Sequence, residues 1–236
     1  MIFWAGKSSD DYRVIVEKYP SVILGARKLD AQAVPGRNGD IIFPQAAFNN
    51  YVQSYEVYVS AEQLRLPTAM RGVAAWLCGP RGYQTLADSY DIDTYREAYY
   101  AGPLDVDSIL HRFGRATIEF NCKPQRFLRA GDTEVQLENG QVLNNPTPFA
   151  AKPLITVTGT GPGVLTVGSR EVEIKSFLEP TVILDCEAQN AYGAGGVNRN
   201  AAISAPEFPV LEAGETVVSW TGSITGVSVI PRWWTL

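Results

Sequence analysis

Histidine is almost missing from this chain: one residue, His111, in 236. A zinc site built on two or more imidazoles is thereby excluded, and any Ser-His-Asp or Cys-His device would have to use that one side chain. It stands in Ile109-Leu110-His111-Arg112-Phe113-Gly114, and the chain holds no Gly-x-Ser-x-Gly nucleophile elbow. His111 therefore reads as an ordinary strand-edge or surface residue. Cysteine is scarce and odd in number. Cys78, Cys122 and Cys186 are far apart, so a disulfide framework cannot form, and the expectation is reduced, mostly buried thiols in a protein made in a cytoplasm. Long apolar runs are also missing. Val73 to Cys78 is among the longest, far below the roughly 20 residues of a membrane-spanning helix, so no membrane insertion is expected. Met1-Ile2-Phe3-Trp4-Ala5-Gly6-Lys7 carries no basic leader and no signal-length apolar stretch. Asn145-Pro146-Thr147 is blocked as a glycosylation sequon by its proline. Finally, there is no basic excess: 20 Lys and Arg stand against 25 Asp and Glu, a net charge of −5. A dedicated nucleic-acid binder, which needs phosphate-neutralising cations, is disfavoured.

What is present is a chain that is 45% hydrophobic and 11% aromatic, ordinary for a packed globular protein of one large or two small domains. Strand patterns dominate. Arg13–Glu17 is rich in β-branched residues, and Tyr51–Val59 alternates, with Tyr51, Tyr55, Val57 and Val59 on one face and Val52, Ser54, Glu56 and Tyr58 on the other. Between them, Val34-Pro35-Gly36-Arg37-Asn38-Gly39-Asp40 contains an Asn-Gly step suited to a tight hairpin turn, with Ile41-Ile42-Phe43 returning. One helix is expected over about 68–78, opened by Pro67-Thr68 and closed by Gly79-Pro80, with Met70, Val73, Ala74 and Leu77 on its apolar side and Trp76 close by. Gly114–Lys123 alternates as a strand with Ala116, Ile118, Phe120 and Cys122 sharing a face. The loop-like Leu143–Pro148 suggests a boundary between a β-rich domain of residues 1–145 and a second domain of residues 146–236. Beyond it, short β segments at 154–159, 164–168, 171–175, 181–187, 216–221 and 227–234 predict a β-sandwich. Neither part is an electrostatic specialist: residues 1–145 hold 15 basic and 17 acidic side chains, residues 146–236 hold 5 and 8.

Candidate chemistry is thin. Asp88-Ser-Tyr-Asp91-Ile-Asp93-Thr-Tyr95 superficially resembles a calcium loop, but a template started at Asp91 meets Tyr95, Arg96 and Gly102 at three ligand or glycine positions. A solvated loop with a helix N-cap is the reading. Gly159-Thr160-Gly161-Pro162-Gly163 follows a strand as a dinucleotide loop would, yet the next segment is again a strand, so a turn between antiparallel strands is expected. Glu171 and Glu173 share a strand face and are the only nameable acid pair for a glycoside or peptidoglycan hydrolase; such pairs are commonly a solvated edge. No metal or cofactor is expected. Trp220, Trp233 and Trp234 suggest a core, an interface or a sugar platform. On a strand, Trp233 and Trp234 point to opposite faces, so one belongs to the core and the other to a contact surface.

Taken in order, several fragments carry a resemblance. They are Gly6-Lys7-Ser8-Ser9-Asp10-Asp11-Tyr12, Val34-Pro35-Gly36-Arg37-Asn38-Gly39-Asp40, Trp76-Leu77, Leu86-Ala87-Asp88-Ser89-Tyr90, and Tyr95-Arg96-Glu97-Ala98. After them come Phe120-Asn121-Cys122-Lys123-Pro124-Gln125-Arg126-Phe127, Phe208-Pro209-Val210-Leu211, Gly214-Glu215-Thr216 and Ile230-Pro231-Arg232-Trp233-Trp234. With them the chain resembles the distal tail (Dit) proteins of siphophages, the long non-contractile-tailed bacteriophages.

The resemblance implies a mainly β chain with one helix: an N-terminal β-rich α+β domain that forms a hexameric ring, then a galectin-like β-sandwich. It implies a structural role in the virion tail tip, with no enzymatic activity. Implied partners are other copies of the chain, the tail tube protein, the tail-associated hub protein and, in many phages, receptor-binding proteins of the baseplate, with DNA passing through unbound. A closed ring of identical contacts needs two different surfaces per subunit. Arg37, Asn38 and Asp40 on the hairpin, and Tyr51, Tyr55 and Val57 on the following strand, are candidates for one of them, because an exposed hairpin can pair with a neighbour's sheet edge. Tyr192, Trp233 and Trp234 are candidates for contact with a partner or a glycan. The alternative function is a carbohydrate-binding β-sandwich module at the host surface, its platform formed by one of these tryptophans and the Tyr192–Asn200 loop. With only about ninety residues in the second domain, an added glycan-binding insertion is not expected.

Overall fold

The computed structural model describes residues 1–61, 65–109 and 113–236, and His111 lies outside them. Among the described residues the chain is mainly β with a single α-helix, and it divides into two compact units, residues 1–126 with Leu236, and residues 127–235.

The first unit contains strands β1 (Ile2–Trp4), β2 (Lys7–Ser8), β3 (Val14–Val16), β4 (Arg27–Gln32), β5 (Ile41–Phe48) and β6 (Tyr51–Ser60). Helix α1 (Leu66–Cys78) follows, then β7 (Gln84–Asp88), β8 (Thr94–Tyr99), β9 (Val106–Ile109) and β10 (Phe113–Leu128), whose last two residues are counted with the second unit. Its main sheet runs β2-β1-β7-β8-β10-β6-β3, with β9 also on β10. β6 and β10 pair antiparallel in an unbroken register from Phe113↔Ser60 to Cys122↔Tyr51. The alternation read in the sequence places Tyr55, Val57 and Val59 with Ile118, Phe120 and Cys122 on the buried face. Helix α1 lies on that face through Leu66, Val73, Trp76 and Leu77, all buried; Ala74 is exposed, so the apolar stripe is centred on 66, 73 and 77 rather than on 74. Trp4 packs on Phe120 at 4.8 Å between ring centroids. In the Gly6–Tyr12 fragment, Ser8 and Asp11 form a reciprocal capping box on a short 3-10 turn. That turn delivers Tyr12 onto Trp76, stacked at 5.1 Å.

The second unit contains β11 (Val135–Leu137), β12 (Gln141–Asn145), β13 (Leu154–Val167), β14 (Arg170–Ile174) and β15 (Thr181–Asp185). The remaining strands are β16 (Asn190–Tyr192), β17 (Ile203–Ser204), β18 (Gly214–Ile230) and β19 (Trp234–Thr235). Two long strands organise it. β13 pairs along its whole length with β18, while its other edge carries β15 in the first half and β14 in the second. The register shifts between Thr158 and Gly163. Gly159–Gly163 is therefore a bulged corner within one strand, and not the turn between two strands that the sequence suggested. Glycine is required there by crowding: a Cβ on Gly163 would lie 2.6 Å from the Thr221 carbonyl oxygen, and one on Gly159 2.7 Å from the Phe177 ring. The segments 216–221 and 227–234 likewise merge, up to Ile230, into the single strand β18. The core is Ile155, Val157, Leu165, Val172, Ile174, Leu184, Val218, Val229 and their neighbours.

The sequence placed the domain division at 145/146. In the structure residues 127–145 belong to the second unit, because β11 and β12 both pair with β18. The loop at 145–148 is part of that unit's architecture. Buried Asn145 accepts from the Thr147 amide (3.0 Å) and hydroxyl (2.8 Å) and donates to the carbonyls of Phe149 and Leu211, so its polar composition reflects an Asx turn and not a linker.

Candidate assembly surface

β4 and β5 form a separate two-stranded ribbon, and no residue from Ala26 to Asn49 is buried. The register sets Leu29 opposite Pro44 and Ala31 opposite Ile42, so these four share one face, while Asp30, Gln32, Ile41 and Phe43 share the other. One side of the ribbon is thus apolar at these four positions and faces solvent: Leu29 is 53% exposed and Ile42 58%. An isolated two-stranded ribbon is marginal in water, and an exposed edge with an apolar face is a template for another chain.

The ribbon's tip is an eight-residue loop, residues 33–40, with Gly36 and Gly39 at φ +79° and +81°. The tight two-residue Asn-Gly turn expected from the sequence does not form. Arg37, Asn38 and Asp40 are all exposed on this loop. Tyr51, Tyr55 and Val57 are placed elsewhere: they are buried in the core of their own unit, and β6 is paired on both sides, by β10 and β3. Those three side chains hold the sheet together and present nothing to a neighbour. The ribbon face Leu29, Ala31, Ile42 and Pro44 went unread in the sequence. Its signal was the alternation of Leu29 and Ala31 between Lys28, Asp30 and Gln32, faint because a six-residue strand with four polar residues resembles a loop.

The Asp88–Tyr95 segment is the end of β7, a five-residue connection (89–93) and the start of β8, without the helix N-cap expected. Asp88 Oδ1 accepts from the Tyr90 and Asp91 amides, both at 3.0 Å. Its Oδ2 accepts from Tyr55 Oη at 2.7 Å and Arg96 Nη1 at 3.1 Å, and Arg96 Nε donates to Tyr51 Oη at 3.1 Å. Asp88 and Arg96 are a buried ion pair. Burial, reinforced by Asp88, pushes the Tyr55 phenol above its ordinary value. This network is closed to solvent and serves the core. Among the described residues no cluster of three or more His, Cys, Asp or Glu could hold a metal, and no helix is long and apolar enough to cross a membrane. Cys122 and Cys186 are buried free thiols, each raised by desolvation to about 12, while Cys78 is exposed.

In the second unit, Glu171 and Glu173 stand exposed on β14 beside an open depression lined by Arg170, Ser204 and Glu207. Arg170 pairs there with Glu207 at 3.1 Å and Glu212 at 3.7 Å. Trp233 is buried in the core; the backbone turns in the left-handed conformation at Arg232 (φ +58°) just before it. It offers no ring face to a sugar or partner. Trp234 is half-buried, stacked on Phe149 at 4.4 Å, with its Nε1 donating to the Ala150 carbonyl at 3.0 Å. Tyr192 is half-buried on β16, at the mouth of a loop braced by Arg199 to Glu179 (2.7 Å). Of the three candidates for partner or glycan contact, Trp233 is thereby removed.

No protein-family model matches the chain, and no curated protein matches it by sequence. Solved structures do. The crystal structure of SPP1 Dit (gp 19.1), described as a paradigm of the hub adsorption apparatus in phages infecting Gram-positive bacteria, is 13% identical, with a TM-score of 0.78 over 100% of this chain and 98% of that one. Structures of the phage P2 baseplate in its activated conformation, with Ca and with Sr, match at 10% and 9% identity over 92% of this chain and 90% of theirs, both with TM-scores of 0.49. End to end, the chain has the fold of SPP1 Dit.

Proposed function

We propose that this chain is a distal tail protein of a long-tailed phage or a phage-derived particle: a structural component of the tail tip that assembles into a closed hexameric ring. In this reading the ring joins the tail tube to the hub and baseplate proteins and leaves a channel through which DNA passes without being held. The observation that carries the proposal is the full-length fold likeness to SPP1 Dit, which spans both units and not one common module. The orphan ribbon supports it, since a protomer that leaves an apolar ribbon face in water is built to be covered by another subunit. The net negative charge suits a conduit for a polyanion.

The first unit, with its ribbon, would supply the contacts between subunits, and the second would face outward toward partner proteins. The test is the solution mass of the purified chain by light scattering, with negative-stain images of the same peak. A ring of six copies of the 25.8 kDa chain, about 155 kDa with a central hole, is expected. A monomer that binds cell-wall glycan at every concentration would point instead to a carbohydrate-binding module.

A further inference from the structure

We infer that Gln53 and Arg126 are positioning residues for the ribbon: from inside the first unit they fix the strap of chain at residues 19–26 from which it departs, and so set the direction in which it is presented. This rests on the ribbon being the assembly element. The strap crosses the end of the buried sheet face with almost no secondary structure of its own. Two buried polar side chains hold it by its carbonyls. Gln53, 1% exposed on β6, donates from Nε2 to the Ser21 carbonyl at 3.1 Å. Arg126, 6% exposed on β10, donates from Nη2 to the Ile23 carbonyl at 2.7 Å. Between these ties and the ribbon, Gly25 presses on Pro124 so closely that a Cβ would lie 2.8 Å from the proline Cβ. The other foot is fastened as well: the Asn49 amide donates to the Ala26 carbonyl at 2.8 Å, and Asn50 Nδ2 reaches Tyr83 Oη and Asn121 Oδ1, each at 2.7 Å.

Arg126 is poorly explained as a stabilising residue. The guanidinium is buried, yet the carboxylate paired with it, Asp91, is 3.9 Å away, and a buried charge so loosely compensated is generally no better for stability than an apolar side chain of similar size. What it does supply is a directed hydrogen bond to one backbone carbonyl. Cys122, Pro124 and Arg126 alternate onto the same buried face as Gln53. The Phe120–Phe127 fragment singled out in the sequence is thereby accounted for as the floor and clamp of the strap.

The chain's thiols make the test direct. Cys78 is exposed and the other two are buried, so spin labels on Cys78 and on an Asn38→Cys ribbon tip report one distance distribution within the first unit, measured in samples diluted with unlabelled chain. A narrow distribution is expected for the otherwise unaltered chain, at least twofold broader in both Gln53→Leu and Arg126→Met. With the competent orientation populated about one-tenth of the time, ring assembly should weaken roughly tenfold. Arg126→Lys, which keeps a donor, should recover part of both effects. Unchanged widths in the variants, or an equally broad starting distribution, would overturn the inference; should Arg126→Met fail to fold, Gln53→Leu decides it. Broadening with unchanged assembly would also overturn the positioning role. A chain with residues 29–44 replaced by a short Gly-Ser link separates the two ideas: its normal assembly would sink the ribbon reading and leave the width measurement standing.

Discussion

Replacing Leu29 and Ile42 together by serine should separate assembly from folding. Both side chains lie on the apolar ribbon face and are just over half exposed, 53% and 58%. Full burial of a leucine or isoleucine is worth about 1.5–3 kcal/mol, so covering the exposed part of each gains about 1–1.5 kcal/mol, or roughly 2–3 kcal/mol for the pair at each subunit contact. Losing that is a roughly 30- to 150-fold weakening of a single contact, and a closed ring repeats the loss at every contact. The fold of the protomer should hardly notice. Neither residue belongs to either core, and exposed substitutions of this kind usually move stability by no more than about 0.5 kcal/mol. The assay is a concentration series by analytical ultracentrifugation alongside a thermal melt. Assembly of the double variant at the unaltered chain's concentration would refute the reasoning. So would a fall in monomer stability of more than about 1 kcal/mol, because it would show that the face is already covered within the protomer.

The buried pair Asp88–Arg96 should behave in the opposite way: Arg96→Met strands a carboxylate inside the first unit and should cost about 3–5 kcal/mol in chemical denaturation, whereas Asp88→Asn with Arg96→Met, which removes the charge and keeps an acceptor for the Tyr55 hydroxyl, should recover part of it. Asp185 gives a pH signature in the second unit. Burial alone would raise its carboxyl, but hydrogen bonds from Arg232 and the Ala188 and Glu187 amides, together with the Arg232 charge, outweigh burial and hold it below its ordinary value. A depressed carboxylate contributes stability that is present above its ordinary value near 3.8 and lost as the pH falls through the lower folded value. The melting-temperature gap between the unaltered chain and Asp185→Asn should therefore be constant at neutral pH and close under acid conditions; a gap unchanged in acid would remove that pair as its source. Thiol reagents should modify one cysteine, Cys78, in the folded protein and all three in denaturant; rapid labelling of Cys122 or Cys186 without unfolding would contradict their burial.

Elements with a strong period were legible in the sequence, and those whose residues serve something outside their own segment were not. The Tyr51–Val59 alternation and the 73–77 helical stripe report burial against neighbours in the same unit, so their faces could be read directly. Gly159–Gly163 misled because glycine marks a turn and a bulged corner with the same letters; only the register of β13 against β18 distinguishes them. The 145/146 boundary failed for a similar reason, since Asn-Pro-Thr-Pro is loop chemistry whether the loop joins two domains or closes one. Tyr51, Tyr55 and Val57 are expected at a contact because their strand follows the hairpin, but that strand is paired on both edges, and the face they share is the buried one.

The ribbon is the case with most to teach. Lys28, Asp30 and Gln32 make β4 look like solvated loop, and within one protomer that appearance is correct, since nothing there is buried. What makes it a strand is cross-strand pairing with β5, and what makes it useful, on the present proposal, is a face whose partner is in another molecule. A single sequence records such a face only as unexplained apolar residues in polar company. The residues that aim it, Gln53 and Arg126, look anomalous for the opposite reason: they are polar side chains in a buried face, between Tyr51 and Tyr55 on one strand and beyond Cys122 and Pro124 on the other. Exposed apolar and buried polar residues are each costly to a lone protomer, and here the two exceptions are joined by a single strap of chain. A sequence under selection for assembly is expected to violate its own burial pattern in that paired way, first where it meets a partner and then where it holds the meeting surface in place.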